Sequence, residues 1–422
     1  MKNTPNYFVF LFVAGILFSQ LVSAADITEA EASSVKPAIT GADAPRDKPS
    51  IEPDPSLPPL KIEKTGVVER LPSSYPESWV IVGEAAFFNM SAGKMIILDL
   101  AETRKSKQIK GIIDVSFLGN FGQSQKRGEL YMLESFHKRG TRGPKEDVLA
   151  VYDKSTLLIK KEIEWPKPNR LQSLPQRYAI SVSNDDRFMY SSNFDPAASF
   201  TVIDLDTYEI TSEIGTPGCV LTYPIGSRAI ASICSNGSML TTRIDDQGQM
   251  VSQSRSEPFF DTDTTPIFEH PVYIDGIAYF WSFEGILHSF DMRGDEAKHL
   301  GQWDTRSEKD KAENWRPAGL VHVDVDDAGN IYTIFQPDGK EGTQTHGGNK
   351  VRVYDPINKT LVREIDTPNW AISLGVTRGD NPLLVVTNGE LSLDVFDAKS
   401  GELKQNISDF GNSTPLSFFK AY

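Results

Sequence analysis

Along most of the chain, short runs of alternating apolar and polar residues end at an aspartate and lead into a polar turn. The pattern occurs seven times, at intervals of 41 to 64 residues. The aspartates are Asp99, Asp153, Asp204, Asp245, Asp291, Asp355 and Asp397. Such alternation predicts antiparallel strands, and a strand-rich repeat of roughly 40–50 residues is typical of a β-propeller. We therefore predict an all-β fold: a seven-bladed β-propeller of four-stranded antiparallel blades.

The repeated aspartate has two interpretations. A residue that recurs in every repeat is expected to serve the turn, because its carboxylate can accept hydrogen bonds from nearby backbone amides. The alternative is a metal or acid–base role. Helical periodicity is nearly absent, and the best short helix lies in residues 307–315, with Ser307 as a plausible N-cap. It falls in the longest interval and is expected to be an insertion between strands.

The first 65 residues differ from the repeats. Residues 1–24 are typical of a signal peptide, with Lys2, an apolar stretch over 8–22 and small residues before the predicted cleavage site. That stretch is shorter than the about 20 residues of a membrane span, although a retained N-terminal anchor is the alternative. Residues 25–65 are rich in proline and predict a flexible arm. The propeller is expected over residues 66–422, in the periplasm.

Charge and cysteine content narrow the function. The net charge of −14 disfavours nucleic acid and membrane surfaces as partners, and it either aids solubility or attracts basic partners. The chain has two cysteines, Cys219 and Cys234, separated by a turn sequence, and an even number in an exported protein favours a disulfide. No further soft ligand lies near them, so no metal site is expected.

Common catalytic motifs are missing from the sequence. It has no GxSxG elbow, P-loop, GxGxxG after a leading strand or HExxH, and its six histidines are scattered. We therefore expect no catalytic residue in this chain. Two classes of function remain: a non-enzymatic exported propeller that binds a ligand or protein partner, and one subunit of an enzyme whose chemistry lies on another chain.

Several long, non-repetitive segments resemble the heavy subunit of the quinoprotein amine dehydrogenases, and the aromatic-amine type more closely than the methylamine type. The resemblance covers roughly residues 80–420. Its most specific segments are SQSRSEPFFDTDTTPIF (252–268), EKDKAENWRPAGL (308–320), PDGKEGT (337–343) and HKRGTRGPKEDVLAVYD (137–153).

The resemblance implies a periplasmic enzyme of two heavy and two light subunits. Its small, cysteine-rich light subunit carries tryptophan tryptophylquinone, a cofactor made from two tryptophans of that subunit. A primary amine is oxidised there to an aldehyde, and the electrons leave to a blue-copper protein such as azurin or amicyanin. The heavy subunit is a seven-bladed propeller that binds no cofactor by itself.

The resemblance also implies roles for particular residues. Phe117 and Leu118 match the segment that lines the substrate channel, although Gly119 stands where the methylamine type has proline. An aromatic wall would sort amines by size; the alternative for Phe117 is a core position in a strand. Trp315, Arg316 and Pro317 match a segment at the subunit interface or channel rim, and packing at a helix end is the alternative for Trp315.

Overall fold

A computed structural model describes residues 70–86, 90–172, 176–411 and 413–422. The predicted signal peptide and proline-rich arm lie outside these residues. Helix α1 (Lys105–Gln108) follows the second strand. The strands before residue 165 are β1 (Trp79–Ala85), β2 (Gly93–Asp99), β3 (Ile109–Val115), β4 (Asn120–Gln123), β5 (Glu129–His137), β6 (Lys145–Asp153) and β7 (Ile159–Glu164).

The central third of the chain forms twelve further strands. They are β8 (Ile180–Val182), β9 (Phe188–Asn193), β10 (Ser199–Asp204), β11 (Glu209–Gly215), β12 (Cys219–Ile225), β13 (Ala229–Cys234), β14 (Met239–Ile244), β15 (Met250–Arg255), β16 (Val272–Ile274), β17 (Ile277–Trp281), β18 (Ile286–Asp291) and β19 (Lys298–Asp304).

The last third begins with helix α2 (Glu308–Ala312), the insertion predicted from the longest interval. Ser307 caps it: its hydroxyl accepts from the backbone N–H of Asp310, whose carboxylate accepts from Ser307 in return. The strands are β20 (Arg316–Pro317), β21 (Val323–Val325), β22 (Ile331–Gln336), β23 (Gly348–Asp355), β24 (Thr360–Val376), β25 (Leu383–Asn388), β26 (Leu393–Asp397), β27 (Leu403–Ile407) and β28 (Thr414–Lys420).

These strands form a β-propeller, but the prediction of seven four-stranded blades is wrong. The described residues form five antiparallel four-stranded sheets and one sheet of eight strands. The five are β28-β1-β2-β3, β4-β5-β6-β7, β8-β9-β10-β11, β12-β13-β14-β15 and β16-β17-β18-β19. In the eight-stranded sheet, the 17-residue strand β24 pairs with β23 in its first part and β25 in its last. Two of the seven Asp-ended strands, β23 and β26, therefore share one sheet.

The two ends of the described chain close the ring. Strand β28 pairs with β1, with Ile81 opposite Phe419, so the last strand completes the first sheet. The Gln123 side-chain amide donates to the backbone oxygen of Lys420 over 2.6 Å, which ties the second sheet to β28. Closure of this kind buries the faces of the first and last sheets, which an open row of sheets would leave exposed.

The core lies between successive sheets, and the alternation of β1 shows how. Ile81 is buried with Phe121 of the second sheet, whereas Val80 and Val82 on the other side are buried with Val385 of the eight-stranded sheet. Successive residues of a strand point to opposite faces, so a strand buried on both sides is apolar at both sets of positions. Each sheet therefore depends on both of its neighbours.

The seven recurrent aspartates serve the turns, as predicted. Each accepts a hydrogen bond through its carboxylate from the backbone N–H two residues later. Hydrogen bonds from backbone N–H groups lower the pKa values of Asp153, Asp355 and Asp397 below the usual range of an aspartate, because these bonds stabilise the charged carboxylate. The repeated aspartate therefore has a structural role in the turns.

The predicted disulfide between Cys219 and Cys234 is present and joins directly opposed residues of β12 and β13. We expect replacement of both cysteines by alanine to lower the free energy of unfolding by about 3 kcal/mol, because the bond closes a loop of 15 residues in the unfolded chain. Denaturant unfolding measures this. Reduction of the unmodified protein should give the same loss, and an unchanged midpoint in both would contradict the expectation.

A buried histidine makes stability depend on pH. His288 of β18 is 2% exposed, and its Nδ1 lies 3.4 Å from Nε2 of His299. Burial lowers the pKa of His288 to about 4, with a smaller contribution from His299. The unfolded chain therefore binds a proton at higher pH than the folded one. Stability is full above pH ~6.5 and should fall by about 3 kcal/mol as the pH drops to ~4.

Unfolding at a series of pH values tests this expectation. The variant His288→Gln should show a shallower loss of stability between pH 6.5 and 4 than the unmodified protein, because it no longer has the buried titrating ring. Equal slopes for the two proteins would exclude His288 as the source.

Candidate functional site

The two ends of the propeller carry different connections. In an antiparallel meander, alternate connections lie at opposite ends of the sheet. The aspartate turns lie at one end, which we call the turn face. The opposite end, the loop face, carries the connections from the outer strand of one sheet to the inner strand of the next. The longer of these span residues 165–172 with 176–179, 256–271 and 305–322.

The structure brings the residues singled out in the sequence to the loop face, in separate loops. Phe117 and Leu118 lie between β3 and β4, where the first sheet gives way to the second. Trp315 follows α2, and Arg316 and Pro317 form β20 at the start of the eight-stranded sheet. The Cys219–Cys234 bond lies at the same end of the fourth sheet.

Phe117 lies in a tight turn, and not in the core of a strand. Its side chain is half-buried, and Leu118 after it has a φ of +57°, in the left-handed region. The N–H of Gly119 donates to the oxygen of Ser116 over 3.1 Å and closes the turn. Leu118 and Gly119 line a small pocket between the first two sheets, together with Glu84, Asn120, Phe121, Gln176 and Phe419. Phe117 does not line it.

A buried polar network underlies this turn. The Arg170 guanidinium donates through Nη1 to the Leu118 oxygen (3.1 Å) and to Oδ1 of Asn120 (2.7 Å), and through Nε to Oγ of Ser135 (2.6 Å). The backbone N–H of Arg170 donates to Asp147, whose carboxylate lies 3.9 Å from Nε. Burial lowers the pKa of Arg170 to about 10, so the side chain stays charged at neutral pH.

The Trp315 segment is held on the protein itself. Trp315 is half-buried under the guanidinium of Arg352, 5.1 Å from its ring, and its Nε1 donates to Glu313. Arg316 donates to Glu284 over 3.1 Å, and Pro317 is buried. Of these three residues, Trp315 and Arg316 therefore have surface that could meet another chain.

A second polar group lies near the centre of the ring. Gln176 donates to Glu269 over 3.0 Å and contacts Nε2 of His270 at 2.9 Å. Burial raises the pKa of the Glu269 carboxyl, and the bond from Gln176 opposes that rise. Arg177 donates to the oxygens of Phe418 and Val323. Arg177 thus crosses between inner strands from different sheets.

Neither polar group was identified from the sequence. Arg170 and Gln176 lie in a connection without a repeat, and the residues that they contact are distant along the chain. The proline-rich stretch around Arg170 indicates a loop and gives no sign of burial. Within the described ranges, no group of three or more His, Cys, Asp or Glu side chains could hold a metal ion.

Among the residues described, no helix is long and apolar enough to cross a membrane.

The fold and the loop face together define the class of protein. It is a closed β-propeller whose non-repetitive segments lie at one end. The chain belongs to the methylamine dehydrogenase heavy chain family, whose pattern matches residues 78–419. This match runs from the first strand to the last and includes each residue singled out in the sequence.

Individual relatives agree with this assignment. The methylamine dehydrogenase heavy chain of Methylobacillus flagellatus is 23% identical over 310 residues, which cover 73% of this chain and 77% of the relative. That of Methylophilus methylotrophus is 22% identical over 317 residues, 74% of this chain and 78% of the relative.

Solved structures support the fold alone. The periplasmic gluconolactonase PpgL of Pseudomonas aeruginosa is similar with a TM-score of 0.55 at 13% identity, over 82% of this chain and 99% of that one. A functionally unknown protein from Desulfotomaculum acetoxidans gives 0.54 at 12% identity, over 82% of this chain and 100% of that one.

Proposed function

We propose that this chain is the heavy subunit of a periplasmic amine dehydrogenase whose light subunit carries tryptophan tryptophylquinone. The family match over residues 78–419 carries the proposal. The complex oxidises primary amines, with aromatic or arylalkyl amines favoured, to aldehydes and ammonia, and passes the electrons to a blue-copper protein. This chain supplies the scaffold and one wall of the substrate channel.

The tryptophans of this chain do not fit the cofactor, which requires two tryptophan rings in contact. The six are Trp79, Trp165, Trp281, Trp303, Trp315 and Trp370, and none of the ring contacts found among the described residues joins two of them. Trp281, fully buried, packs against Phe335 and Tyr354 instead. We therefore place the cofactor on the light subunit and assign no catalytic step to this chain.

Exposed apolar side chains favour the loop face as the docking site for the light subunit. Met90, Phe136, Phe194 and Trp370 lie at this end and are 57%, 47%, 52% and 37% exposed. Aromatic side chains and methionine are enriched at protein interfaces, and all four residues are of these types. Docking there would cover the pocket beside Leu118 and exclude water from a substrate bound between the two subunits.

The disulfide and the N-terminal sequence support a periplasmic location. Disulfides persist in oxidising compartments, and Cys219 and Cys234 are bonded. The apolar stretch over residues 8–22 is typical of an export signal. A blue-copper acceptor is consistent with this compartment.

Isolation of the native complex tests the proposal. Purified through this chain, the complex should contain a small cysteine-rich subunit and a visible absorbance that amines bleach. Titration with methylamine, 2-phenylethylamine and tyramine should bleach it at the lowest concentration with an aromatic amine. A colourless protein without such a subunit would instead support an exported propeller that binds a ligand or partner. Bleaching by methylamine at the lowest concentration would contradict the aromatic preference.

A further inference from the structure

The turn over residues 116–119 adopts a conformation that it would not hold unaided. Leu118 has a positive φ, and the left-handed region is sterically disfavoured for a residue with a Cβ. Conformations of this kind persist only where surrounding contacts determine them. The contacts that fix this turn therefore also fix where the neighbouring Phe117 side chain lies.

The two ends of the turn are held by different groups. At the start, the Ser116 N–H donates to Oε1 of Glu134 over 2.6 Å, and the Ser135 N–H donates to the Ser116 hydroxyl over 3.0 Å. At the other end, Nη1 of Arg170 alone binds both the Leu118 oxygen and the Asn120 side chain. Loss of Arg170 would thus free Leu118 while Ser116 stays anchored.

Arg170 is built to act as a rigid support. It is 3% exposed, and Ser135 fixes its Nε while Asp147 binds its backbone N–H. A planar guanidinium can bridge a hydroxyl, an amide and a carbonyl at once, whereas the ammonium group of lysine is a point charge on a flexible stem. Arg170 therefore connects Ser135 and Asn120 of the second sheet to the Leu118 carbonyl in the turn before that sheet.

We propose that Arg170 is a positioning residue that fixes the Phe117–Leu118 turn beside the pocket and thereby sets the size of amine that the channel accepts. The proposal rests on the proposed function. Arg170 acts through the turn. Its guanidinium binds the Leu118 carbonyl oxygen, and this contact sets the positions of the Phe117 side chain and of Leu118 in the pocket lining. A shift of about 1 Å in such a wall is enough to change relative rates on the order of tenfold or more.

The test compares Arg170→Lys with Glu129→Gln in the complete complex. Glu129 is a suitable control because it is also a buried charged group, 2% exposed and bonded to Lys160, but it lies at the turn face. In Arg170→Lys, the ratio of kcat/KM for 2-phenylethylamine to that for methylamine should change on the order of tenfold. Glu129→Gln should leave the ratio unchanged. An equal fall for both amines in Arg170→Lys would overturn the proposal.

Two further measurements keep the outcome decisive. If Arg170→Lys does not fold, Ser135→Ala removes the hydroxyl that fixes Nε and should change the ratio in the same direction, by less. Amide hydrogen exchange of residues 117–119 in the full-length chain tests the support without any substrate. Exchange should be faster on the order of tenfold in Arg170→Lys, and unchanged exchange would overturn the role of Arg170. A complex that oxidises no amine would overturn the proposed function alone.

Discussion

Replacing Phe418 by alanine is expected to lower the free energy of unfolding by about 3–5 kcal/mol, the usual cost of removing a large core side chain. Phe418 lies in β28, which completes the first sheet, and it is 1% exposed. Strands β24 and β28 are in close contact there, because a Cβ placed on Gly375 of β24 would lie 2.5 Å from the Cβ of Phe418. A cavity at this position weakens the eight-stranded sheet and the first sheet together.

Chemical denaturation followed by tryptophan fluorescence measures the effect. Ile357→Ala is the control, because Ile357 is 78% exposed at the turn face and its loss should change the free energy of unfolding by less than about 0.5 kcal/mol. Equal stability of the two variants would mean that closure of the ring contributes little to the folded state. A loss confined to Phe418→Ala would identify β28 as the strand that completes the ring.

The parts of the fold that depend on local chemistry were predictable from the sequence. Each aspartate ends a strand because its carboxylate can accept the amide two residues later, and this needs only a short segment. The same holds for Ser307 and Asp310, whose spacing is enough for mutual capping. Cys219 and Cys234 could be paired because a single turn separates their strands.

The number of blades was not predictable from the same count. Counting Asp-ended strands says how many strands of one type exist, but not where one sheet ends and the next begins. The segment Thr367–Trp370 reads TPNW, which by composition suggests a break, yet β24 continues through it to Val376. The backbone is irregular there, since Trp370 has a φ of +64° and the register shifts on both sides of it. The chain nevertheless passes directly from pairing with β23 to pairing with β25. Tertiary pairing here overrides local preference.

The contacts of Arg170 that support the candidate site could not be predicted, for a related reason. Arg170 contacts Leu118, Asn120 and Ser135, which are 52, 50 and 35 residues away along the chain. Only the packing of two sheets brings these groups together. An arginine between prolines and asparagine in a loop has no local feature that separates a buried support from a solvated side chain.

Replacing Phe117 by alanine is expected to raise the kcat/KM of the complex for bulky amines relative to methylamine by about 10–100-fold. The ring is half-buried in a turn at the loop face, so its removal opens space beside the pocket without emptying the core. Selectivity in an apolar channel follows the volume that a substrate fills, at about 1–3 kcal/mol for each methylene gained or lost. A larger amine can use the new space, whereas methylamine cannot.

Steady-state rates with methylamine, butylamine and 2-phenylethylamine measure the change. Leu158→Ala is the matched control, since Leu158 is 59% exposed next to the outer strand β7, away from the loop face. Unchanged ratios in Phe117→Ala would remove Phe117 from the channel wall and leave Leu118 as the residue of this turn that lines the pocket. A change in the ratio of kcat/KM values in Phe117→Ala, with a smaller change in the same direction in Arg170→Lys, would show that both residues control the same channel wall. Arg170 can affect the substrate only through the turn that carries Phe117.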